Sequence, residues 1–325
     1  MKKLILTPTK GLSEQQWQNI RSTFVNKGMI GGSDAGVLFG LSQYKSPINL
    51  FYQAIGLTNL PNKMNSIMLH GKQLEDYVAK CWQYFDGTED GWVENTMADN
   101  KIKKYRKVKA IIENPKYPAL FANIDGMITK HPDYKSKGIL EIKTISGYSS
   151  DSWEAGFPPT YLVQLQHYML VMGLKWGEIC YLKDGRQIGC VTFEADKDIQ
   201  DKILELANSF RDMVLSAREA IQGLEEDAAY NVASQFEPAP DPSEAYNDFI
   251  SERHKQRQTE TVTTGTEEDQ IVANKYVKTN SLIKKLEAHK TYLQSQLKKS
   301  MGDAQVMNLP DGKITWRKQF IITKK

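Results

Sequence analysis

Two apolar runs, Phe121-Ala122-Asn123-Ile124-Asp125-Gly126 and Ile139-Leu140-Glu141-Ile142-Lys143-Thr144, carry charge where a buried strand should carry none. Asp125 closes the first run, and Glu141-x-Lys143 lies inside the second. Residues two apart on a strand point to the same face, so Glu141 and Lys143 share one side. Ile139, Leu140, Ile142 and Ile145 give that strand buried surroundings. A Lys buried beside two carboxylates is costly unless the charges are paired or serve a metal. Alone, a Glu-x-Lys tripeptide is a common solvent-facing pair. An apolar strand following an Asp-Gly on its neighbour argues for a site.

The rest of the chain bounds what that site can serve. At 325 residues it has room for one large domain or two modest ones. No run approaches the roughly 20 apolar residues of a membrane span. The start, Met1 to Leu6, is too short and too quickly polar for a secretory signal, so a cytoplasmic protein is expected. Cys81, Cys180 and Cys190 are odd in number and scattered, which fits reduced thiols and neither a disulfide framework nor a zinc or iron–sulfur site. The net charge of +3 is uneven: six of the ten residues from Lys101 to Ala110 are basic. Residues 196–248 hold 13 acidic and 4 basic side chains, and 251–325 hold 15 basic and 8 acidic. Local basic patches serve a polyanionic partner better than the total suggests.

Local signals give a mixed α/β reading. Helices are expected at Ser13–Ile20, Ala35–Phe39, Pro47–Ile55 closed by Gly56, Asn65–Tyr84 and Tyr161–Met172, with a long one from Lys197 to about Glu226. Strands are expected near Val93–Met97, Tyr105–Glu113, Ala119–Thr129 and Gly138–Ile145. A hairpin of Gly177–Lys183 with Ile188–Phe193 turns through Asp184-Gly185. Three prolines between Phe236 and Pro242 cannot continue a helix. This places a nuclease-sized domain at 1–235, a Pro-containing linker at 236–266 and a tail at 267–325. In the tail Leu282, Leu286, Leu293, Leu297 and Met301 suit a helical hairpin or short coiled coil. A β-hairpin, Val306–Leu309 with Ile314–Trp316, ends it.

Glu75, Asp125, Glu141, Lys143 and Gln164 form the candidate catalytic set. Hard Mg²⁺ takes oxygen ligands in near-octahedral geometry and retains waters, with Mn²⁺ a candidate substitute. Asp125 and Glu141 can share such an ion, the Ile142 carbonyl can add an oxygen, and Glu75 can hold a second ion or orient water. Two ions stabilise the attacking and leaving oxygens of a phosphodiester. Lys143 can orient the nucleophilic water, and Gln164 can bond that water or the phosphate. His70 and His167 are bystanders, since Mg²⁺ does not seek imidazole. The basic run containing Lys101, Lys103 and Lys104 reads either as a solvated strand or as a phosphate-tracking surface. Trp153, Phe157, Pro158 and Pro159 could stack on a DNA end or pack over the site.

Five short stretches occur in order: Gly31-Gly32-Ser33-Asp34-Ala35, Gly71-Lys72-Gln73-Leu74-Glu75, Asn123-Ile124-Asp125-Gly126, Leu140-Glu141-Ile142-Lys143-Thr144 and Gln164-Leu165-Gln166-His167-Tyr168. Over roughly residues 15–215 the chain resembles the YqaJ-type viral recombinase nucleases, relatives of phage lambda exonuclease in the PD-(D/E)XK superfamily. The resemblance implies a central mixed sheet flanked by helices and Mg²⁺-dependent 5′-to-3′ digestion of one strand at linear duplex DNA ends. It also implies a ring-shaped homotrimer, a single-strand annealing partner and a phage or prophage gene acting in a bacterial host. By position, Asp125, Glu141 and Glu75 match the acidic residues, Lys143 the catalytic Lys, and Gln164 the glutamine after the core. Ser33 matches the serine that binds the 5′-phosphate with an upstream basic residue, here Lys27 or Arg21. Tyr161 joins that DNA-facing set. An endonuclease on the same core, or a non-catalytic DNA-binding module, remains as an alternative.

Overall fold

The computed structural model describes residues 3–58, 65–145, 157–255, 262–317 and 320–324. The chain divides into two compact units, Met1–Arg257 and Gln258–Lys325. The first unit begins with β1 (Ile5–Pro8), α1 (Glu14–Val25), α2 (Gly32–Leu38), α3 (Pro47–Ile55), α4 (Ser66–Tyr84) and α5 (Glu89–Met97). Next come β2 (Lys104–Lys107), β3 (Ala110–Glu113), β4 (Phe121–Ala122), β5 (Gly126–Lys130) and β6 (Gly138–Ile145). It continues with α6 (Pro159–Met172), β7 (Trp176–Lys183), β8 (Gln187–Glu194), α7 (Lys197–Ala220), α8 (Glu226–Ala233) and α9 (Glu244–Lys255). The second unit holds α10 (Glu267–Met301), β9 (Val306–Leu309), β10 (Gly312–Trp316) and β11 (Phe320–Lys324).

Five strands in the order β2-β5-β6-β7-β8 make the central sheet. It is mixed: β6 and β7 run parallel, joined through α6, and the other pairs are antiparallel. A parallel pair needs such a helical crossover. Strand alternation splits β6 between two cores. Ile139 packs with Val163, Leu165 and Met169 of α6, whereas Leu140 and Ile142 pack with Val78 and Trp82 of α4. A second sheet, β1-β3-β4, supports the first turn of the chain. The mixed α/β class with a central sheet flanked by helices is the one expected. No helix among the described residues is long and apolar enough to cross a membrane.

Local chemistry sets most helix ends where the sequence placed them. Ser13 and Gln16 form a reciprocal capping box on α1. Pro47 opens α3 behind the Ser46 cap, and Gly56 closes it at φ 82°, a conformation costly for any other residue. Four expectations change. Val93–Met97 is helix, because Thr88 caps the Gly91 N–H and Glu89 and Asp90 fill the first turn. Tyr105–Glu113 is two strands in two different sheets, and Ala119–Thr129 breaks at Asn123–Asp125 between β4 and β5. Residues 267–301 form one continuous helix, with no hairpin. The proline segment from 236 is no free linker either. Tyr52 and Arg253 both donate to Glu237, Ser46 donates to Asp241, and Tyr52 meets the Phe249 ring at 5.0 Å. Proline ends a helix, but it does not stop a chain from packing. Residues 256–261 and Trp153 lie outside the described residues.

Lys103 is also reassigned. On β2 and the residue before it, alternate side chains face α4, so Lys103 and Tyr105 turn inward while Lys104 and Arg106 face out. Lys103 is 5% exposed and its ammonium sits 3.1 Å from Glu178, which also accepts from Trp82 Nε1 at 2.7 Å. It is therefore not a phosphate-tracking residue. Removing one partner of a buried pair leaves the other charge uncompensated. Lys103→Met should destabilise the first unit by about 3 kcal/mol, read as a lower urea midpoint by far-UV circular dichroism. An unchanged midpoint would mean that Glu178 finds solvent without Lys103.

Candidate active site

One cleft of about 220 Å³ brings together Trp17, Arg21, Ser33, Glu75, Asp125, Glu141, Lys143 and Gln164. The β5–β6 ladder ends at Gly126 opposite Leu140. Beyond it the Asp125 carboxylate takes the place of a strand and accepts the Ile142 N–H at 2.9 Å. Glu141, the residue between, faces the cleft and is 3% exposed. Its Oε1 accepts from Lys143 Nζ at 2.6 Å and from Gln164 Nε2 at 2.7 Å. Its Oε2 is buried with no hydrogen-bond partner among the described residues. Gln164 also donates to the Tyr168 hydroxyl at 3.0 Å.

Electrostatics follow from this crowding. Burial, and then the nearby Asp125 carboxylate, push Glu141 up to about 8 against the pull of Lys143. The same two causes push Glu75 up to about 7. Asp125 is raised by burial, with Lys143 and the Ile142 N–H opposing. For Lys143, burial favours the neutral amine, but Glu141 and Asp125 outweigh it and hold the ammonium above its usual value. Its Nζ lies 4.9 Å over the Tyr161 ring. Tyr161, expected with the DNA-facing residues, thus sits against Lys143.

The sequence left the upstream basic residue open between Lys27 and Arg21, and the structure separates them. Arg21 lines the cleft with Ser33, whereas Lys27 is exposed outside it with its ammonium 5.7 Å over the Phe24 ring. Arg21 donates to Asp34, which also pairs with Lys45 at 3.2 Å. Burial alone would push Asp34 up, but Lys45 and Arg21 overcome it and hold the carboxyl below its usual range. Gly31 and Gly32 let this turn approach the sheet. A Cβ on Gly32 would stand 2.3 Å from the Tyr168 ring, and one on Gly31 2.9 Å from Phe121.

Other expected residues lie elsewhere. Lys101 and Lys104 are exposed and do not line the cleft, and Lys101 is 4.0 Å from Asp99. Lys107 comes nearer, 2.7 Å from Asp76 and 4.0 Å from Glu75 of the cleft, without lining it. Phe157 packs against Phe193, ring centroids 5.1 Å apart. His167 is buried with Nε2 2.8 Å from the Phe121 carbonyl, and burial lowers it to about 4. Sequence reasoning passed over Trp17, Asn123 and Asp34. Trp17 and Arg21 are four apart on α1, a spacing that puts both on one face.

The donor set fits a hard divalent cation that keeps its waters. Among the described residues no three acidic, His or Cys side chains form a ready-made cage. Asp125 and the unpartnered Glu141 Oε2 would hold such an ion with the Ile142 carbonyl, with Glu75 reaching from α4.

Residues 16–175 match the YqaJ-like viral recombinase domain. The chain is 27% identical over 317 residues to the uncharacterized protein YqaJ of Bacillus subtilis (strain 168), covering 96% of this chain and 86% of that protein. Among solved structures it is similar to an alkaline exonuclease (LHK-Exo) from Laribacter hongkongensis, at a TM-score of 0.45 and 18% identity over 65% of this chain and 99% of that one. It is also similar to a phage-related exonuclease from Haemophilus somnus 129PT, at a TM-score of 0.36 and 14% identity over 58% of this chain and 95% of that one. The structure sets an acidic cleft beside a Glu-x-Lys strand of a mixed sheet. Over residues 16–175, just under half of its length, the chain is similar to the YqaJ-like viral recombinase domain.

A carboxyl raised on folding makes the folded state bind protons more tightly than the unfolded chain. For Glu141 that stabilisation is full below pH 4.5 and is lost as pH rises toward about 8. In chelator, the melting temperature should therefore fall between pH 5 and 8.5. Glu141→Gln should flatten the fall, and millimolar Mg²⁺ should restore stability at pH 8.5 in the parent only. A melting temperature that rises with pH in chelator would contradict the crowded-carboxylate account.

Proposed function

We infer that this protein is an Mg²⁺-dependent exonuclease that resects linear duplex DNA from the 5′ side and leaves a 3′ overhang for annealing. The observation that carries this reading is the buried, unpartnered Oε2 of Glu141 beside Asp125, with the Lys143 ammonium on the same carboxylate. A buried acceptor without a donor is costly and calls for a cation. Bound Mg²⁺ supplies Lewis-acid polarisation of the phosphate and a more acidic water.

The side chains divide the remaining work. Lys143 stays a cation, because two carboxylates flank it, so it orients the attacking water and offsets charge developing on phosphorus. Gln164 holds Glu141 in its rotamer from α6. Arg21 and Ser33, at the other wall of the cleft, bind a terminal 5′-phosphate. Asp34 aims Arg21, and its second oxygen on Lys45 leaves the Arg21 guanidinium only partly neutralised. Selectivity then comes from an end and its phosphate, without base readout. The outward Lys104 and Arg106 and the basic second unit add salt-dependent affinity for the backbone. The similarity to the YqaJ-like viral recombinase domain supports a ring of three copies, a single-strand annealing partner, and action in the cytoplasm of a bacterial host on behalf of a phage or prophage.

The decisive comparison is linear against covalently closed circular duplex in Mg²⁺, with and without a 5′-phosphate. Linear DNA alone should be lost, faster with the phosphate, and Lys143→Ala should lower kcat at least about 10³-fold. Ser33→Ala should remove most of the preference for phosphorylated ends. Cutting of closed circles by the parent, abolished in Lys143→Ala, would replace this reading with an endonuclease.

A pH effect follows from the raised carboxyls. Cation binding must displace protons from Glu141 and Glu75 below about pH 8 and 7. The half-saturating Mg²⁺ concentration should fall at least about tenfold between pH 6.5 and 8.5. A concentration independent of pH would show that neither carboxylate binds the ion.

A further inference from the structure

We propose that α10 is a self-association helix: two copies of this chain pair their α10 helices antiparallel, about a two-fold axis near Lys284 and Lys285. The helix runs unbroken for 35 residues. Its apolar residues therefore cannot fold back on one another as a hairpin would. Within this second unit the end of the helix is covered, at Met301, but the stripe before it is open: Tyr276 is 68% exposed and Leu286 59%. A helix of this length draws stability in water from packing an amphipathic face, and a long open apolar stripe marks a contact surface.

Spacing identifies the occupant. Val272, Tyr276, Thr279, Ile283, Leu286, Lys290, Leu293 and Leu297 follow one another at alternating steps of four and three. That is the seam of a two-stranded coiled coil. Turned antiparallel, the seam meets itself in matched layers: Val272 against Leu297 of the second copy, Tyr276 against Leu293, Thr279 against Lys290, and Ile283 against Leu286. Each layer occurs twice by symmetry, as an isologous contact requires. Three of the four layer types are apolar on both sides. The fourth, present twice, is polar on both sides, and a polar seam layer specifies register at a cost in stability.

Charge chooses the direction. The helix begins Glu267-Glu268-Asp269 and ends with Lys298 and Lys299. In the antiparallel pair each acidic end lies within a turn of the other copy's basic end, and the helix dipoles oppose. A parallel pair in register would set Lys290 against itself in the seam and bring the two acidic ends together and the two basic ends together. Pairing of this kind joins two chains, or two rings, tail to tail.

Sedimentation equilibrium of the full chain tests this. The parent should show a molar mass twice that of Ile283→Lys/Leu286→Lys, with helicity by circular dichroism unchanged. Glu267→Lys/Glu268→Lys and Lys298→Glu/Lys299→Glu should each weaken association roughly tenfold, and the fourfold variant should regain it. Equal masses for the parent and the Ile283→Lys/Leu286→Lys variant would overturn the pairing. Failure of the fourfold variant to recover would overturn the antiparallel arrangement. Glu267 and Glu268 are chosen because Asp269 closes the capping box with Thr266, so the helix start is preserved.

Discussion

The cleft rests on one substitution of side chain for backbone. Where β5 stops pairing with β6, the Ile142 N–H would be an orphan inside a packed sheet, and the Asp125 carboxylate takes it. That bond fixes where Asp125 sits relative to β6, and so fixes the gap between Asp125 and the Glu141 side chain one residue earlier. Helices on both faces then hold the strand. Trp82 and Val78 clamp Leu140 and Ile142 from one side, and α6 supports Ile139 from the other while its Gln164 grips Glu141. A loose β6 would lose the spacing on which any shared cation depends.

Buried charge is handled in two opposite ways in this unit. Asp34 is given two cations, Arg21 and Lys45, and its carboxyl is held low. Glu178 is likewise given Lys103, with a donor from Trp82 and His131 3.6 Å away. Glu141, Asp125 and Glu75 are given too little: Lys143 pairs with Glu141, Lys107 only approaches Glu75 at 4.0 Å, and all three carboxyls are raised. The fold satisfies buried carboxylates elsewhere, so the deficit in the cleft is a local property of that site. Such a deficit suits the divalent cation proposed for this cleft.

The basic run from Lys101 illustrates why charge counts mislead. Six cations in ten residues look like one surface, yet strand alternation sends them to different jobs. Lys103 is locked in a buried ion pair, Lys107 turns to Asp76 and Glu75, and only part of the run faces water. The proline segment from 236 teaches the same lesson for boundaries: side-chain bonds from Tyr52, Ser46 and Arg253 draw it onto the first unit.

What the sequence determined by itself was whatever depends on neighbours along the chain. The cap at Ser13, the start at Pro47, the stop at Gly56, the same-face placement of Glu141 and Lys143, and the ordered motifs all rest on short-range geometry. Val93–Met97 was misread even so, because its β-branched and apolar residues hid the Thr88 cap. The tertiary structure decided what depends on residues far apart. It put Arg21 and not Lys27 on the cleft wall with Ser33, buried Lys103, broke the strand before Gly126 so that Asp125 could reach Ile142, and left one oxygen of Glu141 without a donor among the described residues. Those outcomes turn on which face of an element meets which other element, and no local pattern encodes that, since the same alternation suits a buried and an exposed strand alike.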